Sequence, residues 1–502
     1  MEFYLGPKGY TIIKSSISGK EIAVLKDKLR VIPKTFKGVK SFSVYRESAT
    51  KLYVPRFFGE SSFGRVTGAE NRIGEGDAIN VAFRGTLRLH QVPAVDAYLA
   101  LCSASPVHAC GLLELDCAAG KTVLSLKIIS MLQKKTLIVV HKEFLLNQWI
   151  ERIKEFLPTA RVGRIQGPVI DIKDKDIVIA MLQSLSMKEY DPTLFFSFGL
   201  TIIDEVHHIS SETFSNTLFK ITTKYMMGLS ATMVRKDGTT NVIKMFLGDV
   251  VYKGVKVQAQ DVRVRGIEYK SEDATFNVLE RDFQGAIKHS SMISKLCAHN
   301  PRSDFIVSII VDLLRESPEK QIMVLGQNRS ILYYMHDALL ATKAATVGYY
   351  VGGMKQAALS ESSKQQILLC TYAAASEGLD ISTLSTLVFV TPKTDIVQSV
   401  GRIMRTKGNR PLIVDIVDQH SVFKNQWKKR LAFYRKSNYV VNGLGDRKRK
   451  GCSSDRNATE DEGEGEGEGE GEGEGEGEGE GEDEGEGEGE DEDEGRAGVW
   501  SG

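Results

Sequence analysis

Short apolar runs alternate with helix-like segments along most of the chain. The run "TLIVV" at 136–140 is followed by Leu146, Trp149, Ile153 and Leu157 at helical spacing, which predicts a strand and then a helix. Further runs that predict buried strands are "DIVIAM" from Asp176, "LTIID" ending at Asp204, "YMMGLSAT" ending at Thr232, "QIMVLG" from Gln321, "QILLCT" ending at Thr371, "TLVFVT" from Thr386 and "PLIVDIVD" from Pro411. Strands that are apolar on both faces and alternate with helices indicate parallel sheets covered on both sides. We therefore predict an α/β protein with two parallel sheets.

The N-terminal part has a different pattern. The segments "IAVLKDKLRVIP", "SFSVYRES" and "KLYVPRFFG" predict alternating strands and a β-rich accessory domain. Between about 250 and 317 the pattern is weaker, and we interpret this segment, with its basic run "KHSSMISK", as the connection to the second sheet plus its opening helix. The predicted domains are an accessory domain at 1–85, a first lobe at 86–255, a linker and second lobe at 256–440, and a tail at 441–502.

Charge is segregated along the chain. From Glu460 to Glu494 there are 22 acidic and no basic residues, whereas residues 1–459 hold 64 Lys and Arg against 43 Asp and Glu. The glycine–glutamate tail has no apolar side chains to offset its ordering entropy, so we expect it to be disordered. It is either a solvated, solubilising segment or a drifted repeat, or else a polyanion that folds back on the basic body and competes with nucleic acid. The basic surplus favours binding to a phosphate backbone, although proteins that never bind nucleic acid also have basic surfaces.

Membrane segments and metal-binding cysteine pairs are absent from the sequence pattern. No apolar run approaches the roughly 18 residues that a membrane-spanning helix needs, and the first residues do not resemble a secretory leader. The six cysteines are scattered, which favours reduced thiols over disulfides or a structural zinc site. We therefore expect an intracellular protein that does not bind membranes.

The stretch "LELDCAAGKT" at 113–122 ends like a phosphate-binding loop. In such loops backbone N–H groups and a helix N-terminus surround the phosphates. Ala119 and Gly120 would supply backbone groups, Lys121 a point charge and Thr122 a hydroxyl for Mg²⁺. Leu115 stands where the usual pattern has its first glycine, so the loop by itself leaves open whether this is a nucleotide site or a chance match.

The stretch "TIIDEVHHI" places two carboxylates directly after a predicted strand. The carboxyl ends of parallel strands face the same crevice as a phosphate-binding loop. Asp204 would then hold Mg²⁺, and Glu205 would orient or deprotonate the attacking water. A lone Asp-Glu pair often does no more than cap the next helix, but His207 at this spacing favours the catalytic interpretation.

Five short motifs occur in a fixed order: G-K-T at 120–122, D-E-V-H at 204–207, "GLSAT" at 228–232, "EGLDI" at 377–381 and "QSVGRIMR" at 398–405. This set resembles the motifs of superfamily 2 helicases of the DExH type. "LRLHQ" at 87–91 resembles their upstream "LRxYQ" motif, and the loop resembles "LPCGAGKT" of XPB-like helicases, which also lacks the first glycine. Asp116 and Ala118 depart from that loop, which has proline and glycine there.

Two longer stretches narrow the resemblance. "HKEFLLNQWIERIKEFLP" and "GYYVGGMK" resemble helicases of large nucleocytoplasmic DNA viruses, relatives of the poxvirus transcript-release helicase. The resemblance implies two tandem RecA-like lobes, ATP and Mg²⁺ as cofactors, and DNA or RNA as partner, with transcription machinery as a further candidate. It implies an ATP-dependent helicase or translocase in viral transcription or DNA metabolism, located in the cytoplasm or nucleus of an infected host cell.

The resemblance also implies roles for individual residues. In the first lobe, Lys121 and Thr122 bind the phosphates and Mg²⁺, and Asp204 and Glu205 serve the metal and the water. Gln91 contacts adenine. Ser230 and Thr232 couple hydrolysis to lobe movement. In the second lobe, Arg402 and Arg405 act as arginine fingers, Gln398 helps to position the water or the γ-phosphate, and Gly378 and Asp380 line the cleft. Candidate nucleic-acid contacts are His141, Lys142, Gln183, Asn328, Arg329 and Thr371.

Some of these roles have simpler alternatives. Gln183 and Thr371 could cap helices, and the pair of arginines three residues apart could lie on a solvated helix face. Ser399 and Met404 stand where many relatives have Arg and Gly. The alternative function is a nucleic-acid-binding scaffold of a transcription complex, in which the altered loop no longer turns over ATP.

Overall fold

Two largely parallel β-sheets form the body of the protein, and a smaller antiparallel sheet precedes them. The computed structural model describes residues 2–33, 41–66, 68–105, 107–116, 119–207, 212–231, 233, 238–254, 262–379, 381, 383–404 and 410–444. The predicted fold class is confirmed for this part of the chain. The acidic tail lies outside the described residues, and the domain boundaries stay predictions.

The N-terminal elements build the antiparallel sheet. They are β1 (Phe3–Gly6), β2 (Gly9–Ile13), α1 (Gly19–Lys28), β3 (Arg30–Val31), β4 (Phe42–Ser43), β5 (Arg46–Glu47), β6 (Lys51–Val54) and α2 (Arg56–Phe63). The strand order is β1-β2-β6-β5, and β3 pairs with β4 separately. The prediction that "IAVLKDKL" forms a strand was wrong, because this segment is helical. Ser18 begins the helix with a capping box, in which its hydroxyl accepts from the N–H of Glu21 and the Glu21 carboxylate accepts from the N–H of Ser18.

The first lobe contains an eight-stranded sheet. Its elements are α3 (Val92–Ala104), β7 (Ala109–Glu114), α4 (Lys121–Leu132), β8 (Thr136–Val140), α5 (Glu143–Phe156), β9 (Val162–Gln166), β10 (Val169–Ile170), β11 (Ile177–Met181), α6 (Leu182–Met187), β12 (Leu200–Ile203), α7 (Glu212–Leu218), β13 (Tyr225–Ser230), α8 (Thr240–Leu247) and β14 (Val250–Lys253). The order is β10-β9-β11-β8-β12-β13-β7-β14, and all pairs except β10-β9 are parallel. The carboxyl ends of β7, β12 and β13 therefore meet at one edge of this sheet.

The second lobe contains a seven-stranded sheet in which every strand pair is parallel. Its elements are β15 (Arg263–Tyr269), α9 (Ala274–Asn277), α10 (His289–Ala298), α11 (Asn300–Glu316), β16 (Gln321–Gly326), α12 (Arg329–Thr342), β17 (Val347–Tyr350), α13 (Gln356–Ser362), β18 (Ile367–Thr371), α14 (Tyr372–Gly378), β19 (Leu384–Phe389), α15 (Val397–Gly401), β20 (Leu412–Asp418), α16 (Ser421–Lys436) and β21 (Val440–Gly443). The order is β17-β18-β16-β19-β20-β15-β21. The segment interpreted as a connection thus contributes a strand, β15, as well as opening helices.

Each parallel sheet is covered on both faces. In the first lobe, α3, α4 and α5 pack on one face and α6, α7 and α8 on the other. All five residues of β8 are buried, as a strand between two helical layers requires. The described cysteines are free and buried. Among the described helices, none is long and apolar enough to cross a membrane.

Helix α2 joins the N-terminal elements to the first lobe. Arg56 is buried, and its guanidinium donates to the Cys110 sulfur at 2.6 Å and to the Thr223 carbonyl at 2.8 Å. Glu60, on the same helix, lies 2.5 Å from Nε2 of the buried His108. A buried guanidinium and a buried hydrogen bond between Glu60 and His108 across this contact hold the small sheet against the first lobe in a defined orientation.

Candidate functional site

The end of the loop predicted to bind phosphate meets the D-E-V-H segment at the carboxyl edge of the first sheet. Helix α4 begins at Lys121, directly after the loop, and the Lys121 ammonium donates to Oε1 of Glu205 at 2.8 Å. Thr122 lies in the first turn of α4. The structure therefore brings together four residues that the sequence predicted for one site: Lys121, Thr122, Asp204 and Glu205.

Gly120 has a backbone conformation that favours glycine. Its φ is +77°, and a Cβ at this position would lie 2.3 Å from Nε2 of Gln91. The buried Gln91 side chain donates to the carbonyls of Ala119 and Gly120 at 3.0 and 3.2 Å, and accepts from the Arg88 N–H at 2.8 Å. Gln91 thus fixes the loop backbone, and its contact with adenine stays a prediction.

Asp204 is held by one hydrogen bond to each carboxylate oxygen. The indole N–H of Trp149 donates to Oδ2 at 2.9 Å, and the backbone N–H of Glu205 donates to Oδ1 at 3.0 Å. Burial and, to a smaller extent, the charge of Glu205 raise the pKa of Asp204. Sequence reasoning missed this role of Trp149, although a buried indole N–H generally needs an acceptor.

The pKa of Glu205 shifts in the opposite direction to that of Asp204. Burial is the largest single cause and works against its ionisation, but the charge and hydrogen bond of Lys121, together with the charges of His207 and His141, lower the pKa of Glu205 overall. Its backbone is left-handed, with φ of 47°, a costly conformation for a non-glycine residue that is common at functional sites. An ionised carboxylate accepts hydrogen bonds, so it is suited to orient a water molecule.

His207 connects this site to the next strand. Its Nδ1 lies 3.4 Å from Oε2 of Glu205 and 2.9 Å from the hydroxyl of Ser230, the last residue of β13. Thr232, predicted to act with Ser230, lies outside the described residues. The arrangement links the carboxylate of Glu205 to the end of β13 through one imidazole.

The donor set fits a magnesium nucleotide. Gly120 and the start of α4 present backbone N–H groups, and the Lys121 ammonium lies at the same edge as the carboxylates. The Thr122 hydroxyl and the Asp204 carboxylate are oxygen ligands of the kind that Mg²⁺ prefers. These residues would hold ATP and Mg²⁺, which supplies positive charge to the phosphate oxygens when bound.

Three predicted nucleic-acid contacts lie after β8 and β11. Gln183 donates to the carbonyl of His141 at 2.6 Å, and Lys142 precedes the first residue of α5. Burial, reinforced by the charge of Lys142, lowers the pKa of His141 to about 4, so its ring is neutral at pH 7. The structure brings these three residues together, and their contact with nucleic acid stays a prediction.

The residues of the second lobe that are predicted to contact nucleic acid lie at the carboxyl ends of the adjacent strands β16 and β18. Asn328 precedes α12, and Arg329 donates to the Gly352 carbonyl at 2.7 Å. The Thr371 hydroxyl accepts from the Ala374 N–H at 3.4 Å and caps α14, which is the simpler of its two predicted roles. Contact of these residues with a phosphate backbone stays a prediction.

The second-lobe catalytic candidates are only partly described. Gln398 lies in α15, and Arg402 follows this helix and donates to the Leu379 carbonyl at 3.1 Å. Gly378 is the last residue of α14, so the structure places Arg402 beside the "EGLDI" motif. Arg405 and Asp380 lie outside the described residues.

Comparison with protein families identifies both lobes. Residues 84–235 match the family described as "Type III restriction enzyme, res subunit", and residues 306–407 match the "Helicase conserved C-terminal domain". A protein of Acanthamoeba polyphaga mimivirus, provisionally named an ATP-dependent RNA helicase, is 32% identical over 448 residues, which cover 86% of this chain and 85% of the relative. The two matched domains mark a nucleic-acid helicase.

Other relatives come from the same kind of virus. A protein of African swine fever virus, also provisionally named an ATP-dependent RNA helicase, is 27% identical over 357 residues, covering 66% of this chain and 69% of the relative. A provisionally named helicase of Invertebrate iridescent virus 6 is 22% identical over 342 residues, covering 64% and 75%. The chain belongs to the superfamily 2 helicases of large DNA viruses, as its motifs predicted.

Proposed function

We propose that this protein hydrolyses ATP with Mg²⁺ at the site formed by Lys121, Thr122, Asp204 and Glu205, and that it uses the energy to move along nucleic acid. The observation that carries this proposal is the 2.8 Å contact between Lys121 and Glu205, which lie 84 residues apart in the chain. Two residues predicted for one reaction meet at one sheet edge, with Asp204 and His207 beside them. This geometry favours a working motor over the alternative scaffold.

Each residue has a distinct task in this proposal. Lys121 and the loop backbone bind the phosphates, Asp204 and Thr122 hold Mg²⁺, and Glu205 orients the water and accepts its proton. Arg402 contributes positive charge from the second lobe. Because the two lobes supply different parts of one site, nucleotide binding favours a closed arrangement and hydrolysis releases it.

The nucleic-acid track is proposed to be RNA or DNA bound through its phosphates. Polar residues at strand ends, among them Gln183, Asn328 and Thr371, suit binding without base readout. The relatives in mimivirus and African swine fever virus have names that refer to RNA, so RNA is the first nucleic-acid substrate to test. We further propose a role in viral transcription or DNA metabolism, in the cytoplasm or nucleus of the infected cell.

ATP hydrolysis by the full chain tests the proposal. The rate is measured with Mg²⁺ in the absence of nucleic acid, with single-stranded RNA and with single-stranded DNA. We expect one polymer to stimulate hydrolysis, and we expect Lys121→Ala and Glu205→Gln to lower the rate by roughly 10²–10⁴-fold. The control Lys127→Ala removes a lysine from the same helix, where its ammonium lies over the Phe83 ring, and leaves the rate unchanged.

The two candidate functions give opposite results. A motor hydrolyses ATP, loses this activity in both site variants, and binds ATP in the Glu205→Gln variant. A scaffold binds nucleic acid but shows no Mg²⁺-dependent hydrolysis with either polymer. That second result would overturn the proposal and assign the cause to Asp116 and Ala118, which depart from the loop of XPB-like helicases.

A further inference from the structure

Trp149 is a buried hydrogen-bond partner of Asp204, the candidate Mg²⁺ ligand. It lies on α5, its side chain is 1% exposed, and its indole N–H donates to Oδ2 of Asp204 at 2.9 Å. The two residues are 55 positions apart in the chain. None of the roles inferred from the helicase motifs involves this tryptophan.

The fold brings the indole to the carboxylate through strand pairing. Strand β8 pairs directly with β12, and the Asp204 N–H extends this ladder by donating to the Val139 carbonyl at 3.0 Å. Helix α5 follows β8 after a short turn and packs on the sheet. Trp149, in its second turn, is thereby directed at the residue that follows β12.

The remaining oxygen of Asp204 accepts from the Glu205 N–H at 3.0 Å. The terminal torsion of an aspartate is soft, so a carboxylate held at one oxygen only can rotate. With a donor at each oxygen, the plane of the carboxylate is fixed while further lone pairs stay available to a ligand. A phenylalanine would fill most of the same space but would leave Oδ2 without the indole donor.

We propose that Trp149 is a positioning residue, whose indole N–H fixes the orientation of the Asp204 carboxylate for Mg²⁺ binding. This inference rests on the proposed function, in which Asp204 holds the metal. A group that hydrogen-bonds to a metal ligand orients that ligand, and removing such a group typically weakens metal binding by about 10–100-fold. Trp149 thus acts through Asp204 and does not contact nucleotide or metal in this proposal.

Two substitutions remove the indole donor. Trp149→Phe removes it with a part of the ring, and replacement of Trp149 by the isosteric amino acid 3-benzothienylalanine exchanges the N–H for sulfur and preserves the ring size. Ile153→Val is the matched control, because Ile153 is fully buried on the same helix one turn further on. Thermal unfolding of all three variants without ligand identifies any loss of folding.

The first readout is the Mg²⁺ dependence of ATP hydrolysis. For both donor-free variants we expect the half-saturating Mg²⁺ concentration to rise by roughly 10-fold or more, while kcat at saturating Mg²⁺ changes by less than about 3-fold. The Ile153→Val variant should match the wild type. An unchanged half-saturating concentration in both donor-free variants would overturn the proposal.

The second readout needs neither metal nor nucleotide. The chain contains three tryptophans, so the indole N–H region of a ¹⁵N spectrum contains few signals, and Trp149→Phe assigns the one from Trp149. We expect this signal to lie downfield and to move upfield in Asp204→Asn, because a neutral acceptor makes a weaker hydrogen bond. An unchanged chemical shift of the Trp149 indole N–H in Asp204→Asn would contradict the hydrogen bond itself.

The outcomes separate this inference from the proposed function. Hydrolysis that Lys121→Ala abolishes establishes the motor whatever the tryptophan variants do. If the motor is established and the donor-free variants keep the wild-type Mg²⁺ dependence, only the positioning role fails. If the wild type does not hydrolyse ATP, the proposed function fails and the positioning role fails with it, whereas the indole signal still reports the hydrogen bond.

Discussion

Nδ1 of His207 lies 2.9 Å from the hydroxyl of Ser230, across the ends of the paired strands β12 and β13. The same nitrogen lies 3.4 Å from Glu205, so one imidazole contacts both the candidate base and the last residue of β13. Ser230 is fully buried, and its backbone is also held by the pairing of β13 with β7. The imidazole of His207 is therefore the contact that joins the Glu205 carboxylate to the Ser230 side chain.

We expect Ser230→Ala to uncouple hydrolysis from movement. The variant keeps Lys121, Asp204 and Glu205, so ATP hydrolysis should stay within about 3-fold of the wild type, whereas strand separation should fall by roughly 10-fold or more. Parallel assays of ATP hydrolysis and duplex unwinding on the same preparation measure the ratio. Ser303→Ala removes a buried hydroxyl from α11 in the second lobe and serves as control.

If hydrolysis and unwinding fell together in Ser230→Ala, the serine would serve the chemical step and not the coupling. If neither changed, the contact with His207 would have no role in the cycle. The Ser303→Ala control is expected to match the wild type in both assays.

Gly120→Ala should weaken nucleotide binding. The left-handed φ of +77° costs a non-glycine residue about 1–2 kcal/mol, and the added Cβ would meet Nε2 of Gln91 at 2.3 Å. We expect ATP affinity to fall by roughly 10-fold or more, measured by titration with a fluorescent ATP analogue. The double variant Gly120→Ala with Gln91→Ala removes the clash but not the strain, and is expected to bind poorly as well.

Gly167→Ala is the matched control for that substitution. Gly167 also has a positive φ, +53°, but a Cβ there would meet no atom within 4 Å, and the residue is distant in sequence from the loop. We expect Gly167→Ala to lower the free energy of unfolding, because alanine is strained at this φ, and to leave ATP affinity unchanged. Wild-type affinity in Gly120→Ala would contradict the view that this loop conformation is needed for binding.

The buried parallel strands were the most predictable part of the fold. The run "TLIVV" coincides with β8 at both ends, because a strand covered on both faces needs continuous apolar residues. Strand β7 was missed although five of its six residues are buried, since cysteine and glycine interrupt its apolar run. Helix α1 was mistaken for a strand, although Ser18 and Glu21 carry the capping-box spacing that marks a helix start.

The site was predictable where the motif itself contains the chemistry. Lys121, Asp204 and Glu205 were predicted to meet because their residue types and order indicate phosphate and metal binding, and the structure brings them together. Trp149 could be predicted only as a buried helix residue, because the acceptor of its indole depends on the pairing of β8 with β12. The contact between Gln91 and the loop backbone was equally hidden, since it depends on how the two segments approach each other.

Acidic pH should destabilise the first lobe through His141. Its pKa is lowered from its ordinary 6.5 to about 4, mainly by burial and further by Lys142, while Glu205 opposes and His207 adds to this effect. Between these two values the unfolded chain binds the proton more tightly, so His141 favours the folded state above pH 6.5 and this contribution falls as the pH drops towards 4. At pH 5 the loss amounts to roughly 2 kcal/mol.

Urea unfolding at pH 7.5 and pH 5 measures this effect. The difference in free energy of unfolding between the two pH values should be smaller in His141→Gln than in the wild type by about the stated amount. The buried His108 has its pKa lowered in the same direction by burial, but its contribution is present in both proteins and cancels. An equal pH dependence in both proteins would show that His141 is not the group responsible.

Breaking the buried ion pair between Arg302 and Asp418, one of two that the structure describes in the second lobe, should cost more stability than breaking an exposed pair. Arg302 on α11 donates to both oxygens of Asp418 at the end of β20, at 2.5 and 2.8 Å, and both side chains are fully buried. Asp418→Ala would leave the guanidinium buried without its counter-ion, and we expect a loss of about 3–5 kcal/mol in the free energy of unfolding. The double variant Arg302→Met with Asp418→Leu removes both charges and should lose much less stability.

The control is Arg315→Ala, which breaks the exposed pair with Asp312 and should cost less than about 1 kcal/mol in the free energy of unfolding. Urea unfolding of the four proteins decides the question, because equal losses in the single and double variants would show that packing, and not the unpaired charge, determines stability at this position.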